Sequence, residues 1–346
     1  MISAYQKEIY EQPEVHRLLL AKNSGKIKEM AGIFRSKNYK FILIAARGTS
    51  DNAATYAKYL FSSMVHIPTG LAIPSLYTIY DQVPDMRGGL VIGISQSGQG
   101  SDILAVLKQA RAAGVDTLTI TNDIHSPMAE ISDYVIDVYA GKENAVAASK
   151  SYTGEVLAVA MLAAAWADDK GKLEEIERVP EWASFVLDQH DNVKKTARWY
   201  AEIDKLIILG RGYNHCTTSE IALKVKEITY VTAEAFSGAD FRHGPIALLE
   251  DGFPVVALAP AGKTLADMQD LIREVKERKV RLSVISNDEQ VLGESDYAIR
   301  LPVDLTEWLS PIVVPIPGQL LALELAVVKG LDIDHPRGLK KVTLTM

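Results

Sequence analysis

A single cysteine, Cys216, stands among 346 residues. One thiol cannot close an intrachain disulfide, and so low a cysteine content suits a reducing compartment. No run of 18 apolar residues occurs, which argues against a membrane span. The opening MISAYQKEIYEQPEV is polar and charged and does not read as a signal peptide. Positive charge is not in excess. Lys and Arg number 37 against 44 Asp and Glu, for a net charge of −7, which speaks against a nucleic-acid surface. Low-complexity segments are missing too. These absences lead us to expect a cytoplasmic globular protein with neither a nucleic-acid nor a membrane partner, as 48% hydrophobic and 23% charged content also suggests.

What is present is a repeat. Ile44-Ala45-Ala46-Arg47-Gly48-Thr49-Ser50 is echoed by Ile208-Leu209-Gly210-Arg211-Gly212-Tyr213-Asn214. Val91 to Ser95 answers to Val255 to Ala259, Ile120 to Asp123 to Ile285 to Asp288, and Ser132 to Tyr134 to Ser295 to Tyr297. The offset stays between 163 and 165 residues, so each half is one domain's worth of chain. Phe41–Ala45, Leu90–Ile94, Thr117–Ile120 and Tyr134–Val138 read as buried strands, with Leu206–Leu209, Val255–Ala259, Leu282–Ile285 and Tyr297–Leu301 as their counterparts. Between them lie amphipathic stretches such as Ser101–Ala113, followed by a C-cap glycine at 114. Alternating strand and helix predict an α/β fold of two tandem doubly wound parallel sheets, with helices on both faces. The expected segments are a helical leader over 1–25, domains over 26–180 and 181–329, and an irregular arm over 330–346. A helix from about Pro180 to Tyr200 opens the second half.

Two loops of the first half follow a strand and precede a helix. They are Arg47-Gly48-Thr49-Ser50, before a helical run over Asn52–Phe61, and Ser95-Gln96-Ser97-Gly98-Gln99-Gly100-Ser101. Helix N-termini attract anions through unpaired N–H groups and the helix dipole. In an open α/β sheet, ligands bind beyond the carboxyl ends of the strands. Each loop alone also fits a helix cap with a glycine turn. Two hydroxyl-rich loops in one half point to a phosphate site. The second-half loops, Arg211 to Asn214 and Ala259-Pro260-Ala261-Gly262, have lost most hydroxyls, so one phosphate cradle per chain is expected.

In the second half Glu220, Lys224 and Glu227 fall at i, i+4 and i+7, on one helix face. A solvated salt-bridge ladder has this spacing; so does a carboxylate–amine pair for proton transfer next to a carbonyl. His243 sits in the Gly/Pro-marked stretch Phe241-Arg242-His243-Gly244-Pro245.

Together the repeat, Gly48-Thr49-Ser50 and Ser95-Gln96-Ser97-Gly98 resemble the sugar isomerase (SIS) family. The stretch from Glu220 to Ile228, His243-Gly244-Pro245, the opening Lys7 to Pro13 and the tail Asp334 to Lys341 resemble more specifically the isomerase half of glucosamine-6-phosphate synthase. The match runs through essentially the whole chain. Ile2 follows Met1, where the amidotransferase half of that family needs a cysteine, so the chain resembles the free-standing SIS-type deaminases.

The resemblance implies a sugar-phosphate substrate, with no metal and no cofactor. It implies that Gly48, Thr49, Ser50, Ser95, Gln96, Ser97 and Ser101 hold the phosphate, and that Val146, Ala148 and Ser149 meet the sugar. Glu227 would be the base between C2 and C1. Lys224 and Lys341 would polarise or condense with the carbonyl end, supported by Glu220. His243 would open the pyranose ring from a neighbouring subunit, which implies a homodimer. Gly100 stands where the family usually has a hydroxyl residue, and Ala148 where the synthase has Ser. The alternatives are a fructosamine-6-phosphate deglycase, a plain aldose–ketose isomerase and a non-catalytic sugar-phosphate sensor.

Overall fold

In a computed structural model, which describes residues 2–341, the strands form two five-stranded sheets, parallel throughout. The first sheet contains β1 (Phe41–Ala45), β2 (Thr69–Leu71), β3 (Gly89–Ser95), β4 (Asp116–Thr121) and β5 (Tyr134–Asp137) in the order β2-β1-β3-β4-β5. The second contains β6 (Lys205–Gly210), β7 (Thr232–Ser237), β8 (Pro254–Leu258), β9 (Arg281–Ser286) and β10 (Tyr297–Arg300), ordered β10-β9-β8-β6-β7. The two orders are the same pattern. Central strands are buried throughout, β3 and β8 at every residue, as expected of parallel strands covered on both faces.

The sequence reading misses two strands. β2 is three residues long, and β7, reading TAEAFS, is an edge strand with alternating exposure and no apolar run. Their registers come from pairing with β1 and β6, which is tertiary information. A second correction concerns the helix expected over 180–200. It is two helices, because the chain tightens at Asp188-Gln189, where Gln189 N–H turns to Val186 O at 3.2 Å.

The principal helices are α1 (Ala4–Tyr10), α2 (Gln12–Lys37), α3 (Thr49–Leu60), α4 (Ser101–Ala112), α5 (Lys150–Trp166), α6 (Val179–Leu187), α7 (His190–Trp199), α8 (His215–Thr229), α9 (Gly238–Arg242), α10 (Leu265–Lys276) and α11 (Pro315–Val328). Gly114 follows α4 at φ +69°, the left-handed position that ends a helix. All 17 residues of α5 are buried, and Lys150, Ser151 and Glu155 each bond a side chain or backbone group of the same unit. Thr153 bonds His16 at 3.0 Å, and burial lowers the His16 pKa to about 3, so that imidazole stays neutral. The stretch Ser310–Val328 is apolar and long enough to cross a membrane, yet 89% of it is buried within the fold.

The described chain divides into two compact units. One comprises 14–143, 150–178 and 340–341 and holds the first sheet; the other comprises 2–13, 144–149 and 179–339 and holds the second.

Candidate functional site

In the first-sheet unit the two hydroxyl-rich loops leave the carboxyl ends of β1 and β3, which are neighbours. The connection from β1 goes outward to β2 on one side, and β3 starts the run in the other direction. This is the topological switch point of an open α/β sheet. α3 begins at Thr49, earlier than the sequence suggested, so Thr49 and Ser50 form its first turn behind Gly48 at φ +55°. Ser50 is buried and donates to Glu155 Oε1 on α5 at 3.0 Å. In the second loop Ser95 Oγ accepts from Gly98 N at 3.1 Å and Ser97 Oγ from Gln99 N at 3.4 Å. Asn122 N donates to Gln96 O at 3.1 Å, tying the loop to the end of β4. Gly98 is obligatory: at φ +60° a Cβ would stand 2.0 Å from Ser126 Oγ. Ser101 opens α4, and Gly100 before it supplies no side-chain cap. Arg47 Nε reaches Asp102 Oδ2 at 2.6 Å, joining the two loops. Burial pushes the Asp51 carboxyl up against the pull of Arg47 and Lys58.

The second sheet repeats this layout and fills it differently. Arg211 Nε reaches Asp267 Oδ2 at 2.9 Å, the counterpart of Arg47 and Asp102. The loop before α10 holds the carboxylate of Glu307, which accepts from Lys263 N at 2.7 Å, Thr264 N at 3.1 Å and Thr264 Oγ1 at 2.5 Å. A side chain of the protein thus stands in the anion position of the second repeat. A Cβ at Gly262 would fall 2.3 Å from Glu307 Oε2. Because three donors lose a charged acceptor, Glu307→Ala should destabilise the second-sheet unit by about 2 kcal/mol, read from its denaturant midpoint. An unchanged midpoint would show that the carboxylate contributes nothing there.

On α8 the Glu220/Lys224/Glu227 stripe is not a solvated ladder. Glu220 and Lys224 side chains are 0% and 1% exposed, while Glu227 retains 21%. Lys224 Nζ lies 2.5 Å from Glu227 Oε2 and 3.6 Å from Glu220 Oε1. Burial of the ammonium is tolerated because carboxylates flank it. Only Glu227 of the three reaches solvent. His243 is exposed at the C-terminal end of α9, its backbone N–H bonded to Asp240 O.

Between Lys142 and Ser151 the chain is bonded at both ends of the stretch. Within the first-sheet unit, buried Glu143 accepts from Ser151 N at 3.1 Å, Ser151 Oγ at 2.7 Å and Lys341 Nζ at 2.8 Å. Within the second-sheet unit, Glu8 on α1 accepts from Asn144 and Ala145 N–H, and Gln319 Nε2 donates to Ser149 O at 3.4 Å. Val146 and Ala148 are half-buried and Ser149 is buried. Residues 331–341 form no helix or strand; Arg337 N donates to Tyr230 Oη at 2.7 Å, and its guanidinium lies 4.4 Å from the Tyr230 ring centre. Sequence reading missed Glu8, Glu143 and Glu307. Glu143 and Glu307 are 164 residues apart, within the repeat offset, and that was the available signal.

The SIS domain profile matches residues 36–165 and 200–329. The chain belongs to the SIS-domain family. It is 38% identical over 346 residues to glutamine–fructose-6-phosphate aminotransferase [isomerizing] of Thermococcus kodakarensis, covering 97% of this chain and 57% of the relative. The chain therefore spans little more than half the length of that relative. The C-terminal domain of glucosamine-fructose-6-phosphate aminotransferase from Francisella tularensis superposes with a TM-score of 0.86 at 30% identity, over 97% of this chain and 98% of that one. The glucosamine-6-phosphate deaminase of Thermotoga maritima shares the fold, with a TM-score of 0.78 at 23% identity over 99% and 100% of the two chains. This SIS protein is thus homologous to the isomerase half of the aminotransferases.

Proposed function

We propose that this SIS protein converts glucosamine 6-phosphate and water into fructose 6-phosphate and ammonia. The observation that carries the reading is the buried Glu220–Lys224–Glu227 cluster, in which one carboxylate keeps access to solvent. A sensor has no need of a partly exposed carboxylate braced by a sealed ammonium. Phosphate is held by the Thr49 and Ser95–Ser101 loops. His243 opens the ring; its exposure suits a residue that acts on the site of a second copy in a homodimer. Glu227 takes the C2 proton of the open aldehyde, giving an enolamine, and returns a proton to C1. The C2 iminium that results is hydrolysed, so one water is consumed and one ammonia leaves. Lys224 acts through Glu227, holding its carboxylate oriented from 2.5 Å away, and Lys341 serves the carbonyl end. The ammonia-releasing direction needs only water as second substrate.

The test is ammonia release from glucosamine 6-phosphate with fructose 6-phosphate measured in the same tube. Equal amounts of both are expected. Cleavage of fructosamine 6-phosphates without ammonia from glucosamine 6-phosphate would replace the reading with a deglycase, for which Ala148 leaves more room than a serine would.

A further inference from the structure

Short α1 is bonded at both ends to segments far away in sequence. At its N-terminus Asp334 of the C-terminal arm accepts from Ala4 N at 3.1 Å and from Tyr5 N at 3.4 Å. On its body Glu8, 3% exposed, accepts from the N–H groups of Asn144 and Ala145. Just beyond it, Gln12 Nε2 donates to Ile9 O and to Gln319 Oε1, both at 2.9 Å, and Gln319 Nε2 in turn reaches Ser149 O. Gln12 and Gln319 are fully buried. The segment 144–149 has no secondary structure, so these bonds are what fix its backbone.

We infer that α1 is a strut that ties the arm to the 144–149 segment, with Glu8 and Asp334 as positioning residues for the sugar-contacting backbone. The inference rests on the proposed function in assigning 146–149 to the sugar. A seven-residue helix is marginal alone and needs its N–H groups satisfied to hold its place. Asp334 supplies that from the arm, and Glu8 passes the position on through two charge-assisted bonds. The arm also carries Lys341, seven residues on, whose partner Glu143 precedes Asn144 directly.

Amide hydrogen exchange of the full chain tests this in Glu8→Ala and Asp334→Ala, with Glu8→Gln as the milder variant that keeps one acceptor oxygen. Peptides covering 144–149 should exchange about tenfold faster in both alanine variants and by less in Glu8→Gln. KM for glucosamine 6-phosphate should rise about tenfold with kcat nearly unchanged, while inhibition by inorganic phosphate stays at the wild-type value. Wild-type exchange at 144–149 in Asp334→Ala would overturn the strut. A parallel change in KM and in phosphate inhibition would also overturn it, since that marks general loosening. If the wild-type protein does not turn over glucosamine 6-phosphate, the proposed function fails and the exchange measurement alone decides the strut.

Discussion

Glu227→Gln is expected to lower kcat for glucosamine 6-phosphate by about 10²–10⁴-fold, the range a placed general base contributes. The substitution keeps size, shape and one oxygen acceptor and removes only basicity. Glu227 is the member of the buried cluster with 21% of its side chain in solvent, so it is the one able to meet a substrate. Its oxygen sits 2.5 Å from Lys224 Nζ, which holds the carboxylate in a fixed orientation. KM should move little, because proton transfer is a transition-state interaction. The check is steady-state kinetics beside a thermal melt. A melt like that of the wild type with near-normal kcat would remove Glu227 from the role.

Lys224→Met should be the most destabilising change in α8, costing about 3–5 kcal/mol. The methionine fills similar volume, so the loss is electrostatic. Glu220, fully buried and 3.6 Å from the ammonium, would be left charged without its partner, or would have to take up a proton. Stability of the variant should then recover as pH falls and the carboxyl is neutralised. Lys224→Met combined with Glu220→Gln should regain most of the loss while remaining inactive. Denaturant melts of the single and double variants separate this from simple packing: equal melts for the two would mean that the ion pair is not what the helix depends on.

The contrast between what the chain reveals and what it conceals follows from where the information lies. Strands such as Val91–Ile94 and Val255–Leu258 are legible because burial on both faces demands unbroken apolar runs. The switch-point loops are legible because two of them, both rich in hydroxyls, follow strands in the same half, where one alone would read as a helix cap. The Glu220/Lys224/Glu227 spacing is legible as a face, but whether that face is dry depends on what packs over it, which spacing does not carry. β7 escapes notice because edge strands tolerate Glu234 and Thr232. Glu8 and Glu143 escape because their partners lie 136 and 198 residues away, at Asn144 and Lys341. Glu307 shows the reverse case. The loss of hydroxyls in the second repeat is visible in sequence, whereas the Glu307 carboxylate that accepts from Lys263 N and Thr264 N in the matching loop is not.

Proton transfer from C2 is the claim on which the rest depends, and glucosamine 6-phosphate carrying deuterium at C2 tests it directly. The account predicts slower turnover of the labelled substrate by several-fold, with the label leaving C2 and appearing at C1 of fructose 6-phosphate or in water for each ammonia released. Ammonia release at the unlabelled rate, with the deuterium retained at C2 of an aldose phosphate and no fructose 6-phosphate formed, would contradict it.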